Sequence, residues 1–293
     1  MRVSNIGLST TAILGMQRAA RAVEAAQHQT QSGRRVERAS DDPNAAASIM
    51  SASSSLRALT QYSRNISAAT LRIDGEEAVL DQIAKALERA KQLGIQEGSS
   101  TANAQTRTIA KAEVDQILAF VIQLANTKHE GEYLFGGDQS GAPPITQSTP
   151  PFATAVPVGQ RRAELSEGMV INVNHNATQV FLNAGTLAAL DALSTALGAD
   201  DQVGIQASIN TVDGAIGATQ QLLGEVGGLT ALLETTQQNI AAVDTTLKTF
   251  KSGLEDVDLE EAMTTLVSRQ NAYQASLLTT SRIMSLSLAD YLR

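Results

Sequence analysis

The chain has 293 residues, 43% of them hydrophobic but only 3% aromatic, with no Trp and no Cys. Its 22 basic side chains against 30 acidic ones leave a net charge of −8, so no basic stripe is available to displace counterions from a phosphate backbone, which argues against a nucleic-acid role. The missing cysteines exclude disulfides and thiolate metal sites, and no apolar run of about 18 residues exists to span a membrane.

Ala, Ser, Thr and Gln fill the space that bulky core residues usually occupy, a composition suited to long helices packed side by side. The opening "MRVSNIGLSTTAILGMQRAA" lacks the continuous apolar core of a secretory signal, so export, if it occurs, is expected without a cleaved one. Ile6, Ser9, Ile13, Met16, Ala20, Val23, Gln27 and Thr30 step by threes and fours, a heptad seam half filled with small and polar residues. The seam meets "SGRRVERASDDP": Gly33 stands where a C′ glycine closes a helix, Asp42 can cap the next one with Pro43 at its first position, and Ser40 or Asp41 could share the capping.

A second long helix carries Tyr62, Ile66, Ala69, Ile73, Glu76, Leu80, Ile83, Leu87 and Ala90 on one stripe, with Gly94 and the polar "EGSSTANAQT" expected to end it. A third begins near Thr106 with Ala110, Val114, Ile117, Val121 and Leu124 buried, completing an αα-hairpin. From Gly136 the texture changes. Prolines cluster between Pro143 and Pro157, and "GMVINVNHNATQVF" alternates apolar and polar residues through Val170, Val173, Val180 and Phe181. These features predict a small β-rich insertion over about 138–183.

Helix returns at Leu187, Leu190, Leu193 and Leu197, and a very long helix keeps the same stepping from Ile209 to Leu247. At ~45 residues it would be about 70 Å long. Gly224, Gly227 and Gly228 predict a kink or a close helix approach there. Past the acidic "LEDVDLEE", which suits a helix N-terminus, Met263, Leu266, Gln270, Tyr273, Leu277, Thr280, Met284, Ser287 and Tyr291 form another heptad seam.

No catalytic centre emerges. "HEGEY" at His129–Tyr133 has Tyr where a zinc peptidase needs a second His and is expected to be a polar helix end. Asp256, Asp258 and Glu260 lack the glycine of a calcium loop, "FGGDQSG" lacks the Lys of a phosphate loop, and the sequon at Asn176 is short enough to arise by chance. No cofactor and no metal is expected, and no enzyme.

The terminal seams carry more information. An ordinary intramolecular coiled coil would explain them as well as intermolecular packing does. Yet they run almost to each chain end, where a lone chain frays, and their small and polar residues weaken an isolated helix pair. Pairing one terminus with the other buries part of each stripe, and the remainder needs another molecule. The candidate assembly interface is therefore Ile6, Ile13, Met16 and Val23 with Met263, Leu266, Tyr273, Leu277, Met284, Tyr291 and Leu292.

Four stretches carry a resemblance. "QTQSGRRVERASDDPNAAA" resembles the N-terminal signature of the bacterial flagellin superfamily, and "SRNISAATLRIDGEEAVLDQIAKALERAKQL" its next helix. "LANTKHEGEYLFGG" is similar to the end of its third helix, and "SGLEDVDLEEAMTTLVSRQNAYQASLLTTSRIMSLSLADYLR" to its C-terminal signature. "SDDP", "YLFGG" and "LADYL" favour the branch that joins hook to filament over flagellin itself.

The resemblance implies a mostly α fold: a terminal coiled-coil domain (1–40 plus 255–293), a long antiparallel helical rod (41–137 plus 184–254) and a small β-rich insertion (138–183) facing outward. It implies an extracellular structural adaptor of the flagellum, exported by the flagellar type III route, with further copies of itself, hook-associated protein 1, flagellin and an export chaperone as partners. An autonomous coiled-coil scaffold is the more distant alternative. Under the same resemblance Gly33, Arg34, Arg35, Ser40, Asp41, Asp42 and Pro43 form a domain-joint turn whose arginines meet acids of a neighbour.

Overall fold

A computed structural model describes residues 2–100, 102–150, 152–153 and 159–291. Among them are the helices α1 (Arg2–Ser32), α2 (Pro43–Glu97), α3 (Ala104–Ala125), α4 (Thr186–Gly198), α5 (Gln202–Glu255) and α6 (Leu259–Tyr291). Between α3 and α4 lie two antiparallel strand pairs, β1 (Lys128–His129) with β2 (Glu132–Tyr133) and β3 (Arg162–Ser166) with β4 (Met169–Asn172), followed by a π-helical stretch at Thr178–Asn183. None of the helices is long and apolar enough to cross a membrane among the described residues.

The chain divides into two compact units, Met1–Arg57 with Val243–Arg293, and Ala58–Ala242. The divisions fall at 57/58 and 242/243, and residues 138–183 lie within the second unit. They share its hydrophobic core, which runs through Ile73, Leu80 and Leu87 of α2, Val114 and Val121 of α3 and Leu190 of α4, and in which Phe135 and Phe181 meet edge to face at 5.3 Å.

Several sequence expectations change in this unit. α2 continues past Gly94 and ends at Glu97, the first residue of the polar "EGSSTANAQT". A Cβ at Gly94 would lie 2.9 Å from Ile209 Cγ1, so the glycine marks a close approach of α5. Nothing comes within 4 Å of a Cβ added at Gly224, Gly227 or Gly228, so no close approach occurs at those glycines.

"HEGEY" is a tight hairpin and not a helix end. Glu130 (φ 52°) and Gly131 (φ 85°) are consecutive left-handed residues, the two-residue turn that matches the twist of paired strands. Val180 and Phe181 lie in the π-helical stretch and not in a strand. Asn176 starts that stretch: its Oδ1 accepts the Gln179 amide at 3.0 Å while Gln179 Oε1 accepts the Asn176 amide at 3.0 Å. Its side-chain amide is spent on Gly159 O at 3.2 Å and the residue is buried, so the sequon offers no exposed acceptor for a sugar. Among the described residues the strands of the insertion are those of the β3–β4 hairpin, with a bulge between Glu164 and Ser166.

The first unit is built differently. α1 and α6 pack antiparallel, as the Thr280 hydroxyl donating to Ala12 O at 3.4 Å and the Val257 amide donating to Gly33 O at 3.0 Å require. Among the described side chains its buried apolar residues are Ala26, Val36, Ala45, Ala46, Ala52 and Ala262. A core of five alanines and one valine stabilises far less than the leucine and phenylalanine core of the second unit, since burial scales with apolar area at roughly 25 cal/mol per Å².

Candidate assembly interface

The joint turn is where α1 stops. Gly33 takes φ 68°, its amide donating to Gln29 O at 2.9 Å, the left-handed residue that closes a helix. The chain then runs alongside the break between α5 and α6. The Arg35 amide donates to Glu255 O at 2.7 Å, the Val36 amide donates to the same oxygen at 3.3 Å, and Arg34 and Asp256 form an isolated antiparallel bridge. The turn therefore supplies backbone to satisfy the end of another helix, which explains why two helices are interrupted at this point.

Both arginines are engaged within the chain. Arg34 Nη1 lies 3.0 Å from Glu255 Oε1, and the Arg35 guanidinium donates to Leu254 O at 2.8 Å and faces Asp42 Oδ2 at 3.5 Å. Asp41 Oδ2 accepts the Arg38 amide at 2.8 Å and the Glu37 amide at 3.2 Å, which holds its carboxyl below the usual range. Asp42 Oδ1 accepts the Ala45 amide at 3.0 Å, with Pro43 the first residue of α2. Ser40 is exposed beside them. Around the turn Arg21, His28, Arg34, Arg38, Glu24 and Asp41 border a hollow of about 300 Å³. Among the described residues no group of acids, histidines and cysteines is placed to hold a metal ion.

The terminal seams split. On α6, Ala262 and Thr280 are buried and Leu266, Tyr273 and Ile283 half-buried, one face turned to α1. On α1, Ile13, Met16 and Val23 are half-buried and Ala26 is buried. Met263, Leu277 and Met284, assigned by spacing to one seam with Leu266 and Tyr273, are instead exposed by 58%, 40% and 46%. They join Leu259, Val267 and Leu278 on a second apolar stripe. At 100° per residue these six positions fall within about a third of the helix circumference, roughly 100° around from the face on α1.

The difference arises because a heptad count draws one line through an apolar face wide enough for two. The side chains of Ile6 and Tyr291, and Leu292 altogether, lie outside the described residues. Spacing did not single out the second stripe, although the apolar residues it missed, Leu259, Val267 and Leu278, stand in plain sequence.

Residues 3–140 match the model of the bacterial flagellin N-terminal helical region, and residues 209–292 that of the bacterial flagellin C-terminal helical region. The chain belongs to the flagellin family. It is a structural component of the bacterial flagellum, assembled with hook and filament components.

The chain is 25% identical over 286 residues to flagellar hook-associated protein 3 of Salmonella typhimurium, covering 89% of this chain and 90% of that protein. It is also 25% identical to a flagellin of Halalkalibacterium halodurans, covering 84% and 82%. The fold is shared with Bacillus cereus FlgL (TM-score 0.61, 24% identity, 69% of this chain and 99% of that one). It is shared equally with flagellar hook-associated protein 3 of Legionella pneumophila (TM-score 0.63, 13% identity, 70% and 98%).

Proposed function

We propose that this flagellin-family protein is the adaptor that joins the hook side of the flagellum to the flagellin filament, and that it does so by packing the exposed stripe of α6 against neighbouring molecules. The observation that carries this reading is the stripe itself. Leu259, Met263 and Val267 at one end and Leu277, Leu278 and Met284 at the other stand exposed on one face of α6, with Gln270 and Gln274 between the two groups, on a unit whose described buried residues are mainly alanines. Such a face is costly in water and gains its burial only when partners surround it, so mass action couples the order of the unit to assembly. The near full-length likeness to a hook-associated protein 3 supports the junction position. In this reading the neighbours are further copies of the chain, hook-associated protein 1 on one side and flagellin on the other. A cytoplasmic chaperone covers the chain before type III export.

The test pairs deletion with a stripe variant. Cells lacking the protein should build hooks and release unattached filament protein. The native chain should restore filaments, and Met263→Glu with Leu277→Glu should fail to restore them while the purified variant keeps the helical content of the native monomer. Normal filaments from the deletion strain, or full rescue by the double variant, would overturn the reading. Purified chain that elongates into long filaments from seeds would replace it with a filament subunit.

A further inference from the structure

His175 is a buried imidazole with a carboxylate at each ring nitrogen. Nδ1 bonds Glu76 Oε1 of α2, and Nε2 lies 3.3 Å from Glu225 Oε2 of α5. The His175 amide also donates to Glu76 Oε2 at 3.3 Å. Glu76 is 1% exposed, deep between the helix and the insertion, whereas the Glu225 side chain is half open. All three residues lie in the second unit, so one side chain of the insertion is tied to two helices of the same body. The carboxylates sit on opposite edges of the ring and cannot share a cation. The species that fits between them is a proton.

We propose that Glu76, His175 and Glu225 form a proton-operated latch that fastens residues 159–183 to α2 and α5. An imidazolium has two N–H donors and satisfies both carboxylates. A neutral imidazole has one donor, so one carboxylate must face a ring lone pair. Glu76 is the partner that cannot leave, because it is buried and also takes the His175 amide. Loss of the proton therefore frees Glu225, which retains the Gln221 amide at 3.1 Å and has solvent at hand.

The proton has a way out. The Nε2 edge borders a cleft of about 540 Å³ between β4 and α5, lined there by Asn172, Asn174, Glu225 and Leu229. The charged groups facing the ring are Glu76 from α2 and Glu225 from α5. Arg72, one turn before Glu76 on α2, lies beyond it and donates to Leu134 O at 2.6 Å. Among its described residues the insertion lines this side with Asn and Gln amides, and its Arg161, near Arg72, is paired with Glu132. The hydrogen bond from Glu76 outweighs burial, Glu225 adds to it, and together they hold the imidazole above its ordinary value of about 6.5. A group raised on folding stabilises fully below its unfolded pKa and stops stabilising as pH climbs through the folded one. The latch is closed in mildly acidic solution and opens on the alkaline side.

The experiment uses the full chain. Labelled-histidine NMR follows the titration of His175, which is one of three histidines and is assigned with His175→Gln. Hydrogen exchange by mass spectrometry, corrected for intrinsic rate, follows residues 159–183 across the same pH series. His175 should titrate above about 6.5, and protection of the insertion should fall in the same window, about tenfold for each unit by which the pKa is raised, while α3 keeps its protection.

Glu225→Gln should move the titration and the loss of protection together to lower pH, and His175→Gln should remove the pH dependence. Should His175→Gln fold poorly, Glu225→Gln decides alone, since residue 225 is exposed. Titration at or below about 6.5, protection that ignores pH, or a Glu225→Gln profile identical to the native one would each overturn the latch.

Discussion

Arg34 Nη1 rests 3.0 Å from Glu255 Oε1, across the same few ångströms where the backbones of the two segments exchange hydrogen bonds. Its side chain is 54% exposed, so the ion pair is screened and worth little, about 0–1 kcal/mol. Glu255 keeps Lys251 at 3.4 Å when the arginine is gone. Arg34→Ala should therefore lower the melting free energy of the first unit by less than about 1 kcal/mol, read by urea titration. A loss of several kcal/mol would mean that the pair, rather than the backbone bridge, closes the joint.

Gly33 should matter more than its charged neighbour. A Cβ at that position meets nothing within 4 Å, so Gly33→Ala introduces no clash and reports only the cost of φ 68° in a residue with a side chain. That cost is about 1–2 kcal/mol. In thermal unfolding the transition of the first unit should move down, with that of the second in place.

Phe181 is fully buried against the Phe135 ring in the second unit. Phe181→Ala should destabilise this unit by about 3–5 kcal/mol, the sum of lost transfer energy and an unfilled cavity. Near-ultraviolet or NMR signals of the core should melt early, and the exchange of α1 and α6 should not change.

Acid acts on the joint through Asp41 and Asp42. Both carboxyls sit below their usual value of about 3.9, Asp41 chiefly through the Arg38 amide and Asp42 chiefly through the Ala45 amide. A depressed carboxyl stabilises above its unfolded pKa and ceases to do so as pH falls through the folded one. The joint should hold steady above about pH 4 and open below it. Hydrogen exchange of residues 33–46 on acid titration would show this, and Asp41→Asn with Asp42→Asn should flatten the acid limb.

In a dilute solution of single chains, α1 and α6 should exchange their amides faster than α3 and α4. They are held mainly by alanine contacts and half-buried side chains, and their outer stripe is uncovered. Equal protection of all helices would contradict an interface completed by neighbours.

Helix positions were legible because their signals are local. Stepping by threes and fours marked the long helices, and Gly33, Asp42 and Pro43 marked a turn that a chain carries in its own residues. What stayed hidden depends on tertiary placement. Gly94 reads as a stop, since no window of sequence shows Ile209 pressing against it.

Phe181 follows an alternating pattern that reads as strand, while the Asn176–Gln179 exchange of hydrogen bonds starts a helix instead. The α6 seam reads in the sequence as a single line. Only the position of α1 reveals that Leu266 and Met263 face different directions. Glu76 was placed on a buried stripe by spacing alone, and the reason a carboxylate tolerates that position, His175, lies 99 residues further along the chain.

The alanine-lined interior of the first unit has a thermal corollary. Unravelling it wets few methyl groups, and the heat-capacity increment of unfolding is set chiefly by newly wetted apolar surface. Its stability curve is accordingly shallow, with little gained on cooling and little surrendered on warming.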